Sequence, residues 1–214
     1  MRDGLCDADV YSLRELALRS SKEGVIFIEV GSWKGHSSAV LGQIAKEYKG
    51  HLYCVDHWKG SPGVEHHSYE GNVFQTFFNN MMVFGLAKYV HPLVMDSLAA
   101  SRIFADGIAD LVFIDANHYY TSVKQDIASW LPKVKTGGLL CGHDCEGYYL
   151  EYNENGRAAI DRGLEQDVQC PPGCHAGVVK ALYDCFGSDF NIAKRAIPRE
   201  EREVSSIWFK EKNA

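Results

Sequence analysis

The sequence has no excess of positive charge. Its 22 lysines and arginines stand against 28 aspartates and glutamates, a formal net charge of −6. A protein that holds nucleic acid through its phosphates needs the opposite balance, so general nucleic-acid binding is excluded. No apolar stretch approaches the roughly 20 residues of a bilayer crossing, so no membrane association is expected. The opening residues, MRDGLCDADVYS, lack the basic start and apolar centre of a secretory signal, and the seven cysteines are scattered and odd in number. A soluble, cytoplasmic chain with reduced thiols is the expectation. There is no internal repeat and no low-complexity tract, and 214 residues can bury a full core without disulfides. One domain over residues 1–214, with a small-molecule partner, is therefore expected.

What the chain does have is a short apolar strand that ends in an acid and breaks into a glycine turn, IFIEVGSWKGHSS at 26–38. Gly31 and Gly35 let the backbone bend, and Ser37 or Ser38 can cap the helix that follows over 37–48, whose buried stripe is Val40, Leu41, Ile44 and Ala45. Residues 51–56 form a second strand ending in Asp56, one strand-helix-strand repeat after Glu29, where an acid can accept ribose hydroxyls. A strand over 90–95 leads into Asp96 and Ser97, which either meet a nucleobase edge or cap the next helix. Residues 110–114 run into Asp115, and the stretch 132–144 into His143 and Asp144. Acids thus gather at the strand ends where an open parallel sheet binds its ligand.

The remaining segments frame this crevice. A helix over 9–22 buries Leu13, Leu16 and Ala17, and its flat apolar face would allow a homodimer. Residues 57–72 read as a loop over the crevice, with His66 and His67 a solvated pair. Phe74, Phe77, Phe78 and Met81 read as core of a helix over 73–84, and further helices are expected over 121–130, 157–164 and 177–186. The aperiodic stretch 145–175 reads as a lid or substrate-binding insertion, and 204–209 as a last strand. Cys170 and Cys174, with Cys141 and Cys145 upstream, have a loose zinc spacing, although alternation along a strand would turn Cys141 away from Cys145.

The glycine spacing, Gly31-x-x-x-Gly35, is neither the G-x-G-x-x-G of a nicotinamide or flavin site nor the G-K-[ST] of a phosphate loop. I-E-V-G-S-W-K-G-H-S instead resembles the first motif of class I S-adenosylmethionine-dependent methyltransferases, and V-D-H-W-K-G their acidic-loop motif. F-I-D-A-N-H-Y-Y-T-S-V-K-Q-D-I followed by L-P-K-V-K-T-G-G-L-L-C-G-H-D resembles the O-methyltransferase-like group called methyltransferase family 24.

The resemblance implies a Rossmann-like α/β fold: a seven-stranded, mostly parallel sheet with its last strand antiparallel and helices on both faces. It also implies S-adenosylmethionine as cofactor, held by Glu29, Gly31, Ser32, Trp33, Gly35, Asp56, His57, Trp58, Asp96, Ser97 and Asp115. Trp58 would stack on adenine or pack in the core. The reaction implied is O-methylation of a small hydroxylated acceptor, with His118 as base beside Asp115 and Asp144. His118 could alternatively cap the next helix. Metal-dependent relatives bind magnesium or another divalent ion with two acids and an amide. Asp115 and Asp144 match the acids, Cys145 stands at the amide position, and His143 could complete the set. Tyr119, Tyr120, Tyr148 and Tyr149 could wall the acceptor pocket, and His175 could line the crevice. Two other outcomes fit the same residues: a non-catalytic cofactor-binding module, or a same-fold enzyme with different chemistry such as hydroxylation.

Overall fold

The computed structural model describes residues 4–60, 72–166, 173–193 and 204–213. Seven strands form one sheet: β1 (Ile26–Val30), β2 (His51–Asp56), β3 (Val90–Val94), β4 (Ala109–Ile114), β5 (Val134–Gly142), β6 (Asn191–Ile192) and β7 (Trp208–Glu211). Their order is β3-β2-β1-β4-β5-β7-β6. The first five pair in parallel, and β7 runs antiparallel to both β5 and β6. The order reverses at β1, so the crevice between β1 and β4 is the place where this topology binds ligands.

Alternation along the strands sends side chains to two separate cores. Phe27, Leu111, Phe113 and Leu139 pack on one face against helices α1 (Asp7–Arg19), α2 (His36–Glu47) and α3 (Val73–Val83). Ile28, Val30, Val112, Ile114 and Leu140 face the other side, against α4 (Ser97–Ser101), α5 (Tyr120–Trp130) and α7 (Ala176–Phe186). Both faces of the central strands β1 and β4 are dry, which is why these two read as nearly continuous apolar runs.

Several local expectations change. Helix α1 buries Leu13, Leu16 and Ala17 against α2, so the apolar face that would carry a dimer contact is used within the chain. Gly35, at φ +88°, caps α2 instead of Ser37 or Ser38. Phe77 and Met81 are core, but Phe78 is exposed. Within the expected lid, Tyr149–Glu151 form one turn and α6 (Glu154–Arg162) packs on α7, with Ile160 and Cys145 fully buried. No residue from 145 to 166 lines the cleft, and of these residues Cys145, Gly147, Ile160 and Gly163 are buried. Strand β6 is too short to leave a period in the sequence, and β7 lies downstream of its expected place. His66, His67 and Cys170 lie outside the described residues. Among those described, no helix is long and apolar enough to cross a membrane.

Candidate active site

The strand ends are clasped by backbone. Gly31 N–H donates to Val55 O at 2.9 Å and Asp115 N–H to Val30 O at 2.8 Å, joining β1 to β2 and β4. Gly31 has φ +87°, and a Cβ there would lie 2.0 Å from the Asp115 carbonyl oxygen, so only glycine fits. Asp56, at the end of β2, holds the turn from the other side. Its Oδ2 accepts from Ser32 N–H at 3.0 Å and Trp33 N–H at 2.8 Å, and its Oδ1 from Trp58 N–H at 2.6 Å.

These bonds decide what the turn can hold. Its N–H groups are taken by a carboxylate, so they do not form an anion cradle for phosphate. A carboxylate offers about four acceptor positions, and with three taken Asp56 keeps one for a ribose hydroxyl, not the two that its place in the sequence suggests. The cleft beyond, about 950 Å³, is lined by Gly31, Trp33, Asp56, His57, Trp58, Met95, Asp96, Ser97 and Asp115. A nucleoside carrying an amino-acid arm and no phosphate, as in S-adenosylmethionine, suits that lining.

Not every expected cofactor residue reaches the cleft. Glu29, Ser32 and Gly35 do not line it. Glu29 is fully buried beneath the turn, where Oε2 accepts from the Ser38 hydroxyl, and burial pushes its carboxyl above the ordinary range despite the neighbouring serines. Asp96 is the N-cap of α4, its Oδ1 accepting from Leu98 N–H at 3.0 Å and Ala99 N–H at 3.3 Å, while still facing the cleft. The Ser97 hydroxyl donates to Asp126 and accepts from Trp130 Nε1 at 2.9 Å. Asp126, absent from the sequence expectations, is therefore a second carboxyl at this end of the cleft beside Asp96, with burial raising its pKa to about 6. Trp58 donates Nε1–H to Trp33 O at 2.8 Å and packs against Phe74 and Phe77, so packing holds it while one side faces the cleft.

At the other end, three imidazoles surround Asp144. This residue follows β5 in a left-handed conformation, φ +63°, unusual for a residue other than glycine. His118 Nε2 lies 2.9 Å from its Oδ2, while His143 Nδ1 and His175 Nδ1 lie 3.2 and 3.4 Å from its Oδ1. Asp115 Oδ1 is 3.7 Å from His143 Nδ1. Behind them stand two carboxylates. Asp9 of α1 meets His143 Nε2 at 3.1 Å, and Glu146 meets His175 Nδ1 at 2.6 Å.

The electrostatics follow from burial and pairing. Burial alone would lower the His143 pKa, but the charges of Asp144 and Asp115 outweigh it and hold the imidazole well above its ordinary range. Burial likewise opposes ionisation of Asp144, and His143 and His118 bring its carboxyl well below the usual value. Asp9 is depressed to about 2, since the bond and charge of His143 overcome burial.

The cluster brings together the three expected catalytic residues, His118, Asp115 and Asp144, with His143 and His175. The expected tyrosine wall is not there. Tyr120 and Tyr149 hydroxyls donate to Asp184 and Asp161, Tyr148 packs on Phe190, and none of these, nor Tyr119, lines the cleft. Cys145 at the amide position is fully buried, its Sγ turned to Gly147 O at 3.5 Å. Cys141, on β5, donates to Val112 O of the neighbouring β4 at 3.4 Å, and no cysteine joins a metal-competent cluster among the described residues. Magnesium takes oxygen ligands in near-ideal octahedral order. Here an imidazole stands beside each carboxylate, so the donor set does not fit magnesium.

This strand order, with β7 antiparallel and an acid-lined cleft at the switch point, is the architecture of a class I methyltransferase fold. A family model for a methyltransferase domain, Methyltransf_24, matches residues 28–145, more than half of the chain, and the chain belongs to that family. It is 24% identical over 127 residues to protein y4gI of Sinorhizobium fredii, a match covering 56% of this chain and 13% of that protein. This chain therefore spans a small part of that relative's length. Among solved structures, the O-methyltransferase TomG of Streptomyces achromogenes, in complex with SAM, superposes with a TM-score of 0.64 at 15% identity, over 99% of this chain and 82% of that one. Cofactor-bound Rv0187 from MTB gives 0.64 at 16%, covering 100% and 84%. An rRNA methylase from Streptococcus thermophilus gives 0.57 at 9%, covering 99% and 100%. These likenesses are of fold.

Proposed function

We propose that this chain transfers a methyl group from S-adenosylmethionine to a hydroxyl oxygen of a small-molecule acceptor. The observation that carries the reading is the His118–Asp144 pair, 2.9 Å apart, in the same cleft as the Gly31 turn. When bound, the cofactor supplies an electrophilic sulfonium methyl. The residues of this chain do the rest. The Gly31 turn and Asp56 orient the nucleoside and its arm, and Asp126 and Asp96 face the cleft beside the adenine end.

Asp144 accepts from His118 Nε2–H, which fixes the tautomer with the basic lone pair on Nδ1. That nitrogen takes the acceptor's hydroxyl proton as the oxygen attacks, and Asp144 stabilises the imidazolium formed. Methyl transfer needs alignment above all, and a cleft anchored at three strand ends provides it. Net charge supports a small acceptor over RNA, since −6 offers no phosphate footprint.

The test is methyl transfer from labelled cofactor to a panel of phenols, catechols and sugar hydroxyls. A product methylated on oxygen supports the reading. Cofactor binding with no transfer to any acceptor class, and transfer to nitrogen or carbon, both count against it.

A further inference from the structure

We infer that His175, held in place by Glu146, is a specificity residue for the acceptor: its Nε2 binds a second hydroxyl, on the carbon next to the one whose oxygen faces His118. This deepens the methyl-transfer reading and rests on it.

The local fold fixes the imidazole before any acceptor arrives. His175 is the N-cap residue of α7, and Glu146 lies two residues beyond Asp144, past the end of β5. The residues just before them, Cys174 and Cys145, are both buried, and Cys145 N–H donates to Ser206 O at 3.0 Å. From these anchors Glu146 takes His175 with both of its oxygens. Oε2 accepts the backbone N–H at 3.0 Å, and Oε1 lies 2.6 Å from Nδ1. A carboxylate offers only acceptors, so Nδ1 donates and Nε2 is the ring atom left to bond. Nε2 has no partner among the described residues, and His175 lines the cleft.

The spacing from His118 is set by the backbone as well. Gly177, in the first turn of α7, sits so close that a Cβ there would lie 2.1 Å from His118 O and 2.5 Å from Tyr120 N. Only glycine lets the two segments meet. The His118 and His175 rings stand 4.8 Å apart between centroids, inclined at 56°. Asp144 lies between them, with Oδ2 2.9 Å from His118 Nε2 and Oδ1 3.4 Å from His175 Nδ1. Hydroxyls on neighbouring carbons can each meet one of two rings so placed, whereas a lone hydroxyl meets only one. The second contact fixes the rotation of the acceptor, and methyl transfer depends on that alignment.

A plainer role for Glu146 is that of a carboxylate at a helix N-terminus, and its bond to the His175 backbone N–H serves that role. The bond to Nδ1 does not follow from it. A dipole partner needs the backbone contact alone, while the second oxygen pins the imidazole at the cleft wall. Glu146 is therefore a positioning residue, acting through His175.

The experiment measures methyl transfer from labelled S-adenosylmethionine by the full chain to two matched pairs, catechol against phenol and cis-1,2-cyclohexanediol against cyclohexanol. A site with a bonding group for a substrate hydroxyl discriminates against the analogue that lacks it, so at least one diol should exceed its matched alcohol by about 10-fold or more in kcat/KM. His175→Ala should bring that ratio to within about 3-fold of unity. Glu146→Gln should narrow it about 3–10-fold, through the diol KM more than through kcat. Equal kcat/KM for diol and alcohol in the wild type, or a ratio that survives His175→Ala, would overturn the inference. So would variants that lose thermal stability and slow both acceptors alike, which is how a purely structural pair behaves. If His175→Ala fails to fold, the wild-type ratio and Glu146→Gln still decide it. Transfer to diols and alcohols without preference defeats this inference and leaves the methyl-transfer reading standing. Transfer to none of the four defeats that reading, and this inference with it.

Discussion

Strand β4 carries an aspartate at each end, and the two have opposite company. Asp110, at its start, is buried among groups that are always positive or fixed. Lys135 Nζ lies 2.7 Å away, Lys22 Nζ 2.8 Å away, and Ile26 N–H donates to it at 2.9 Å. Asp115, just past the strand's other end, meets His143, and beyond it Asp144 meets three histidines. No lysine or arginine pairs with these two acids among the described residues. Lysines neutralise a carboxylate permanently, whereas histidines can give up a proton, accept one or bind an ion. The first end is neutralised by fixed charges, and the second is surrounded by groups that can exchange protons.

Breaking the chemical end at its base should have the largest effect. His118→Ala is expected to lower turnover about 10²–10⁴-fold while S-adenosylmethionine affinity stays within about 3-fold, measured by steady-state kinetics and calorimetry on one preparation. Equal loss of both would mean that His118 shapes the cleft instead of moving the proton. Next comes Asp56→Ala, which removes a ribose acceptor and frees three N–H groups of the turn. Cofactor affinity should fall about 10–100-fold, with little change in turnover at saturation.

At the structural end, Asp110→Asn should destabilise the fold by about 1.5–3 kcal/mol in denaturant titrations and leave cofactor affinity unchanged. Although burial opposes ionisation of Asp110, the bonds to Lys135, Lys22 and Ile26 N–H hold its carboxyl below the ordinary range. Its stabilisation is therefore present above the unfolded-state pKa of about 4 and lost as pH falls through the lower folded value. The acid limb of the stability curve should flatten in Asp110→Asn.

The smallest effect sharpens the contrast from within the cleft. Burial raises Asp126 to about 6. A raised carboxyl favours the fold below its unfolded pKa, and that contribution is lost as pH rises through about 6. Asp126→Asn keeps an acceptor for Ser97 and removes the buried charge, so cofactor-free protein should gain up to about 1 kcal/mol at pH 8, less at pH 5, and nothing near pH 3, below the unfolded-state pKa of about 4.

Much of this contrast could be read along the chain. Asp56, Asp115 and Asp144 each end an apolar run, and β-branched strands alternating with amphipathic helices place such ends at one edge. The reading failed where partners are remote. Asp9 reaches His143 across 134 residues and Ser206 across 197, and locally an acid in the first turn of an amphipathic helix reads as a cap or a dipole partner and nothing more. The sequence leaves Ser97 open between a nucleobase contact and a helix cap, and it does not reveal the α5 carboxylate, 29 residues on, that accepts its hydroxyl's hydrogen bond. Within 145–166 a single turn and one short helix meet the body through isolated residues such as Cys145 and Ile160, which leaves no apolar period to read in the sequence.

The central claim, that the Gly31 turn and Asp56 hold a phosphate-free nucleoside cofactor, is tested most directly by calorimetric titration of the wild-type chain with S-adenosylmethionine and, in parallel, NADH. Binding of one equivalent of S-adenosylmethionine, weakened in Asp56→Ala, with no heat from NADH, is the result predicted. NADH binding, or no S-adenosylmethionine binding, would contradict the account at its base.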